Sequence, residues 1–351
     1  MAQIDKPSLH FNTKLYTGNG STQALTGVGF QPDWVWIKNR SDSRKHNLYD
    51  VVRGVTKRIV ANDNAAEDTA SNGLTAFGTD GFTTGSEQDT NHNGNNFVSW
   101  NWKAGGTGSA NSDGATASTV SANSTSKFSI VKWTGTGSAT TVGHGLGVAP
   151  NTIFIKNLAD ANDWFVYSSA MGFEMTSPDP ETDYMKLNET NARTDDANAF
   201  NDTAPTSSVF SVGSASNTNG SSDPMIAYCF SDLKGYCKSG GYTGNQNANG
   251  PFVYTGFKPA FIIIKAINYA SQNWNMYDNK RPGYNVIPNH VYANTTGAEI
   301  TSGANQIDFL SNGFKCRATN DGSNRGSEYY MYVAIAENPI VGSNNIPAVA
   351  G

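Results

Sequence analysis

The chain has 351 residues, a formal net charge of -5 and only 15% charged residues. With a pI of about 5.5 and no block of Lys or Arg, it lacks the electrostatic footprint of a nucleic-acid or anionic-membrane binder. Its 36 Gly, 15 Tyr, 17 Phe and 7 Trp exclude disorder, which lacks aromatics, and point to turn-rich all-β structure.

Met1 to Lys6 contains no apolar core of a signal peptide, and no apolar run approaches the length of a membrane span. Cys229, Cys237 and Cys316 show no metal-binding spacing, and one of the three must stay unpaired. They are expected to be reduced thiols of a protein made in a cytosol.

The first strong element is Pro32-Asp33-Trp34-Val35-Trp36-Ile37-Lys38, a short β-branched and aromatic run between a Pro and a Lys. It recurs from Pro150 to Lys156 and from Pro259 to Lys265. Proline cannot donate to a ladder, so each is expected just before its strand, with the Lys where the strand leaves the core. Val35 and Ile37, Ile153 and Ile155, and Ile262 and Ile264 define one aliphatic face, expected to be core. The opposite face is also bulky, so cover on both sides is expected.

Three further anchors accompany each copy. Upstream lie Tyr16-Thr17-Gly18, Trp133-Thr134-Gly135 and Tyr242-Thr243-Gly244. Downstream, strands ending at Tyr49, Tyr167 and Tyr277 follow the Pro by 17, 17 and 18 residues. Phe82, Phe210 and Phe314 then begin closing strands. Each leads through an Asn/Ser/Gly-rich loop, read as hairpin chemistry, to a last strand at Phe97, Met225 or Tyr330. This pattern predicts an all-β chain of three repeated antiparallel β-sandwich units, jelly-roll or concanavalin-like, at 1–103, 126–236 and 237–339. Residues 104–125, rich in Gly, Ser, Thr and Ala, read as a linker or extended strap. Residues 340–351 read as a polar C-terminal arm. The second and third units are expected to form a rigid pair.

The stretches Leu15 to Ser21, Gly29 to Lys38, Trp100 to Gly106, Val142 to Gly147, Ile226 to Phe230, Gly256 to Phe261 and Ala336 to Pro339 resemble a repeated β-domain of phage virion proteins, often described as tail fibres. That resemblance implies a virion-surface location, after assembly in the host cytoplasm, and a lectin-like sandwich. The chain has no heptad stretch, collagen-like run or obvious shaft, so a head-decoration or knob protein is an equal expectation. Its partners are then other virion proteins, in one reading joined by host-surface glycan, and a homotrimer is expected. A chain of three internal units can also mimic a trimer alone.

The candidate sites are few. Trp34 and Trp36 share one face, and Trp100 and Trp102 share another; both pairs are candidates for a glycan-stacking platform, against core or interface packing as the favoured alternative. Asp179, Glu181 and Asp183, with Asp195, Asp196 and Asp202 nearby, supply hard oxygens of the kind Ca²⁺ takes, against the plainer reading of a solvated acidic loop. The five His residues lie in no metal or catalytic motif, and no nucleophile elbow or phosphate-binding loop is present. The expected function, given the resemblance, is that of a non-enzymatic virion surface protein, a tail fibre or appendage binding host-surface glycan or receptor, with a head-decoration or connector protein whose partners are other virion proteins as the alternative.

Overall fold

The computed structural model describes residues 4–174, 178–282, 284–303 and 305–340. Every ladder between strands is antiparallel, and the few helices are single turns. The arm expected at 340–351 lies outside the described residues beyond Ile340.

The strands fall into three bodies. The first contains β1 (Phe11–Thr17), β2 (Gln23–Thr26), β3 (Trp34–Asn39), β4 (His46–Asp50), β5 (Lys57–Val60), β6 (Asp68–Thr69), β7 (Leu74–Gly78), β8 (Gly81–Thr84) and β9 (Asn96–Trp102). Its large sheet runs β1-β9-β3-β4-β5-β6, and a small sheet β2-β8-β7 covers one face.

The second body contains β10 (Ser109–Asn111), β11 (Ser118–Asn123), β12 (Phe128–Thr134), β13 (Thr140–Gly143), β14 (Thr152–Asn157), β15 (Phe165–Ser168), β16 (Asp183–Lys186), β17 (Thr194–Asp195), β18 (Val209–Val212) and β19 (Pro224–Phe230). Its sheets run β10-β11-β12-β19-β14-β15-β16-β17 and β13-β18.

The third body contains β20 (Cys237–Thr243), β21 (Phe252–Tyr254), β22 (Phe257–Ala266), β23 (Asn275–Asp278), β24 (Val291–Tyr292), β25 (Ile307–Leu310), β26 (Gly313–Cys316) and β27 (Tyr329–Pro339). Its sheets run β20-β27-β22-β23-β24 and β21-β26-β25. In each large sheet the last strand of the body lies between the Pro-led strand and the strand that leads into the Thr-Gly motif, which is β1, β12 or β20.

Each large sheet is buried on both faces, by different partners. The aliphatic face packs on the body's own small sheet: Val35 and Ile37 with Phe82, Ile153 and Ile155 with Phe210, Ile262 and Ile264 with Phe314. The other face enters one shared core that all three bodies build together. In that core Trp34 stands opposite Trp102 and Trp36 opposite Trp100. The matching sets are Thr152 and Phe154 with Phe230 and Tyr228, and Phe261 and Ile263 with Ile335 and Val333. Four indoles from the first body are therefore balanced by smaller side chains from the other two, as close packing of one interior requires.

Three expectations need correction. The Asn-rich segments before the last strands are not hairpins, because β8, β18 and β26 lie in the small sheets while β9, β19 and β27 lie in the large ones. Each segment crosses between layers, and one Asn side chain clamps it. The Asn91 Oδ1 accepts from the Asn19 amide at 2.8 Å, that of Asn219 from the Thr136 amide at 2.8 Å, and that of Asn324 from the Asn245 amide at 2.8 Å. The Thr-Gly motif is the other half of this contact. A Cβ on Gly18, Gly135 or Gly244 would lie 2.3, 2.1 or 2.1 Å from a carbonyl of the crossing segment, so only glycine admits the approach.

Second, Pro259 lies inside β22 and not before it. The register shifts on both sides of this residue, and a bulge is where a strand tolerates a missing donor. Third, the Gly/Ser/Thr/Ala-rich stretch 104–125 contains β10 and β11 and does not hang free. All six residues of β11 pair with β12, and Val120 is buried in the second body's core.

Candidate functional site

The sites proposed from sequence are placed as follows. Trp34, Trp36, Trp100 and Trp102 are each at most 2% exposed. Trp34 stacks on Tyr228 of the second body with centroids 4.2 Å apart, and Trp102 meets Phe261 of the third edge-on at 5.7 Å. These rings have no free face for a sugar, and the glycan-platform expectation for them is corrected to an inter-body core.

Asp179 precedes a single 3-10 turn, Pro180–Thr182, that contains Glu181, and Asp183 opens β16. Asp183 is buried and pairs with Arg193 at 3.1 Å, so a cation already answers it. Among the described residues no group of three His, Cys, Asp or Glu side chains is arranged to hold a metal. The expected Ca²⁺ site is therefore not formed by these carboxylates.

What the chain does assemble is a ring of three seams, each made by the next body's strands meeting the same features of the one before. Backbone bonds mark the cycle. The Glu67 amide donates to Leu158 O at 3.0 Å, the Arg193 amide to Ile267 O at 2.8 Å, and the Glu299 amide to Arg40 O at 3.0 Å. Indole groups repeat it: Trp164 Nε1 donates to Val60 O at 2.8 Å and Trp274 Nε1 to Lys186 O at 2.8 Å. His46 holds the corresponding position in β4. Its Nδ1 accepts from Trp36 Nε1 at 2.9 Å, and burial keeps the imidazole neutral by pushing its pKa well below 6.5.

Just past the Tyr-ending strand, two bodies bury an ion pair. Arg53 Nε donates to Asp50 Oδ2 at 2.5 Å, and Arg281 Nε to Asp278 Oδ2 at 2.5 Å. Both carboxylates also cap their own turn, accepting from the amides two and three residues on. Each then accepts from the neighbouring body: Asp50 from Tyr228 Oη at 2.7 Å, Asp278 from Trp100 Nε1 at 3.1 Å. Glu67 and Glu299 complete the cation contacts at 3.2 and 3.1 Å. Buried charges of this kind survive only when every lone pair and proton is answered. The second body has Ser168 and Met171 at these places; Met171 is buried in the shared core, and Thr152 Oγ1 meets Ser239 Oγ across the seam at 2.9 Å.

The lysines that end the Pro-led strands do not leave the core. Lys38, Lys156 and Lys265 are fully buried and donate to backbone carbonyls. Lys38 Nζ reaches Arg44 O at 2.8 Å and, across a seam, Thr296 O at 3.0 Å. Lys265 Nζ reaches Gln272 O at 2.8 Å and, across the next seam, Thr190 O at 3.2 Å. Lys156 Nζ stays within its own body, on Asn157 O at 2.6 Å and Asp160 O at 3.3 Å. Burial lowers Lys38 and Lys156 to about 8 and Lys265 to about 7, since desolvation disfavours the ammonium form.

The Domain of unknown function (DUF7483) matches residues 6–339. The chain belongs to the DUF7483 family. The matched span runs through all three bodies of the chain. A comparison with curated proteins finds no match.

The Asp-x-x-Arg pairs were missed in the sequence reading although a signal exists. Asp50 and Asp278 directly follow the anchoring tyrosines, and an Arg stands three residues later in both. The four-residue spacing was lost because unit two, with Ser168 and Met171, breaks it.

Proposed function

We propose that this DUF7483 protein is a non-enzymatic structural component of a phage virion surface, a decoration or connector module whose partners are other virion proteins. The observation that carries this reading is the fate of the four tryptophans. The side chains best suited to gripping sugar serve instead to lock three bodies into one rigid ring, which suits a part that must hold its shape on a particle. The resemblance to the phage β-domain supplies the setting: assembly in the host cytoplasm and residence on the virion. Lys38, Lys265, His46 and the buried Asp–Arg pairs lie in the seams and not in an open cleft, which favours a scaffold role over catalysis.

The ring also bears on assembly state. Three bodies related by the same cyclic contacts give one chain the arrangement that a homotrimer would otherwise supply, so a single-chain particle of 37.4 kDa is the expectation. Light scattering that returns three times this mass would restore the homotrimer. A gold-labelled antibody against this chain, applied to intact virions, tests the location. Label over the head supports the decoration reading. Label confined to the tail tip returns host-glycan attachment to first place, and unlabelled particles overturn the virion assignment.

A further inference from the structure

The three bodies differ at one flank, the side where the first strand of the large sheet forms its edge. In the second body this flank is closed. Strand β11 pairs along β12, β10 pairs on β11, Thr116 bridges to Val142 of the small sheet, and Val120 is inserted into the core. In the third body the corresponding strand, β20, ends its sheet.

The exposed half of β20 is built to accept a strand. The Gly244 amide donates inward to Glu328 O at 2.9 Å, so the alternation of an antiparallel ladder turns the amides of Gly241 and Thr243 outward. The preceding outward amide, that of Ser239, is already taken by Asp232 Oδ1 at 2.6 Å. Beside the free half runs a groove of about 480 Å³, with Gly240 and Gly241 on its floor. Its walls carry Phe173, Phe252 and Tyr254, which are 43%, 47% and 58% exposed. A second groove of about 530 Å³ continues past Lys238 and Tyr254, which line both. The first body's edge strand, β1, is unlike this: it has Lys14 and Leu15 where β20 has its two glycines, and a charged side chain is a usual guard against strand addition.

We propose that the open flank of the third body is a strand-addition surface, which takes an extended, uncharged segment of a partner polypeptide along β20 and under Phe252 and Tyr254. The second body shows the chemistry of the occupant. Its closing strand, Ser118-Thr119-Val120-Ser121-Ala122-Asn123, is neutral, small-sided and carries one β-branched residue that enters the core. Charge agrees, because Lys238 is already paired with Asp232 at 3.3 Å. Main-chain bonds then supply affinity, and alternate side chains supply selectivity.

The probe is a fluorescent peptide of residues 115–124 of this chain, titrated into the full-length protein and followed by anisotropy and amide hydrogen exchange. Saturable binding should slow exchange at Gly241 and Thr243 by about tenfold or more, as expected for newly paired edge amides. The double variant Phe252→Ala/Tyr254→Ala, both side chains being exposed, should keep the thermal unfolding of the parent and bind about tenfold more weakly, as should a peptide carrying Val120→Lys. Unchanged exchange at Gly241 and Thr243 under saturating peptide overturns the proposal, as does equal binding by the double variant. Two other results also overturn it by naming a different occupant. One is self-association abolished by the double variant, which assigns the flank to a second copy. The other is protection without peptide that is lost when residues 341–351 are removed, which assigns it to the chain's own end.

Discussion

The seam between the second and third bodies differs from the other two in what fills one corner. Where the first and third bodies bury Asp50 with Arg53 and Asp278 with Arg281, the second has Ser168 and Met171, and the seam still closes. The same backbone position therefore accepts either a fully answered ion pair or an apolar plug. Burying a charge pair gives little net stability over a well-packed hydrophobe, whereas removing one partner leaves a charge stranded. The ionic corners contribute direction instead: each carboxylate accepts from one specific donor on the next body, Tyr228 or Trp100. That fixes which body follows which.

The sharpest way to break this comparison is to strand a charge. Arg281→Met alone should cost about 3–5 kcal/mol, because Asp278 stays buried without its cation. Installing the second body's pair, Asp278→Ser with Arg281→Met, should recover most of that loss. Chemical denaturation of both variants decides the matter, and a double variant as unstable as the single one would show that the corners are not interchangeable. Of the same size is Trp34→Ala, expected to cost about 3–5 kcal/mol through the cavity it opens in the shared core. Since three bodies share that core, circular dichroism and tryptophan fluorescence should report one common transition; separate transitions would mean that the bodies fold independently.

The lysines allow a test by pH. Their folded pKa values, about 8 for Lys38 and Lys156 and about 7 for Lys265, lie below the ordinary 10.5. In the window between, the unfolded chain binds more protons, so stability rises with pH. The penalty for burying the ammonium is complete below the folded value and is relieved as pH climbs toward the unfolded one. Each lysine contributes at most about 1.4 kcal/mol per pH unit. The stability difference between Lys265→Met and the parent, followed from pH 7.5 to 9.5, should shift steadily in the parent's favour. A flat difference would place the proton elsewhere. The smallest effect is expected at a clamp that lies within one body and touches no seam: Asn324→Ala should cost about 1–3 kcal/mol by orphaning the Asn245 amide and two carbonyls.

Much of this architecture is legible in the sequence. The Pro-to-Lys runs, the strands through Tyr49, Tyr167 and Tyr277 and the last strands are all strands in the fold, with Pro259 drawn into its strand and the tyrosine strands one residue longer, because a strand records its two faces in alternate residues. What the pattern does not record is the identity of the partner on each face. Trp34 and Val35 are both apolar, and only the assembled ring shows that Val35 faces its own small sheet while Trp34 faces two other bodies. The lysines differ for a related reason, since a charged residue at a strand end normally marks solvent and here marks a buried cluster of backbone carbonyls, at a seam for Lys38 and Lys265 and within one body for Lys156. Strand β11 was hidden by its composition. Its Ser, Thr and Ala residues resemble a linker because its stability comes from backbone pairing with β12, which leaves little trace in side chains.

The ring has a mechanical consequence. Peptide links carry the chain from the first body to the second and from the second to the third, but among the described residues the third meets the first through side chains and a few backbone bonds, among them Arg40 with Glu299 at 2.8 Å and the Arg44 amide with Thr296 O at 2.9 Å. A force that separates the first body from the third is therefore borne by these contacts and by the Asp278–Arg281 corner beneath Trp100, with no peptide link to share it.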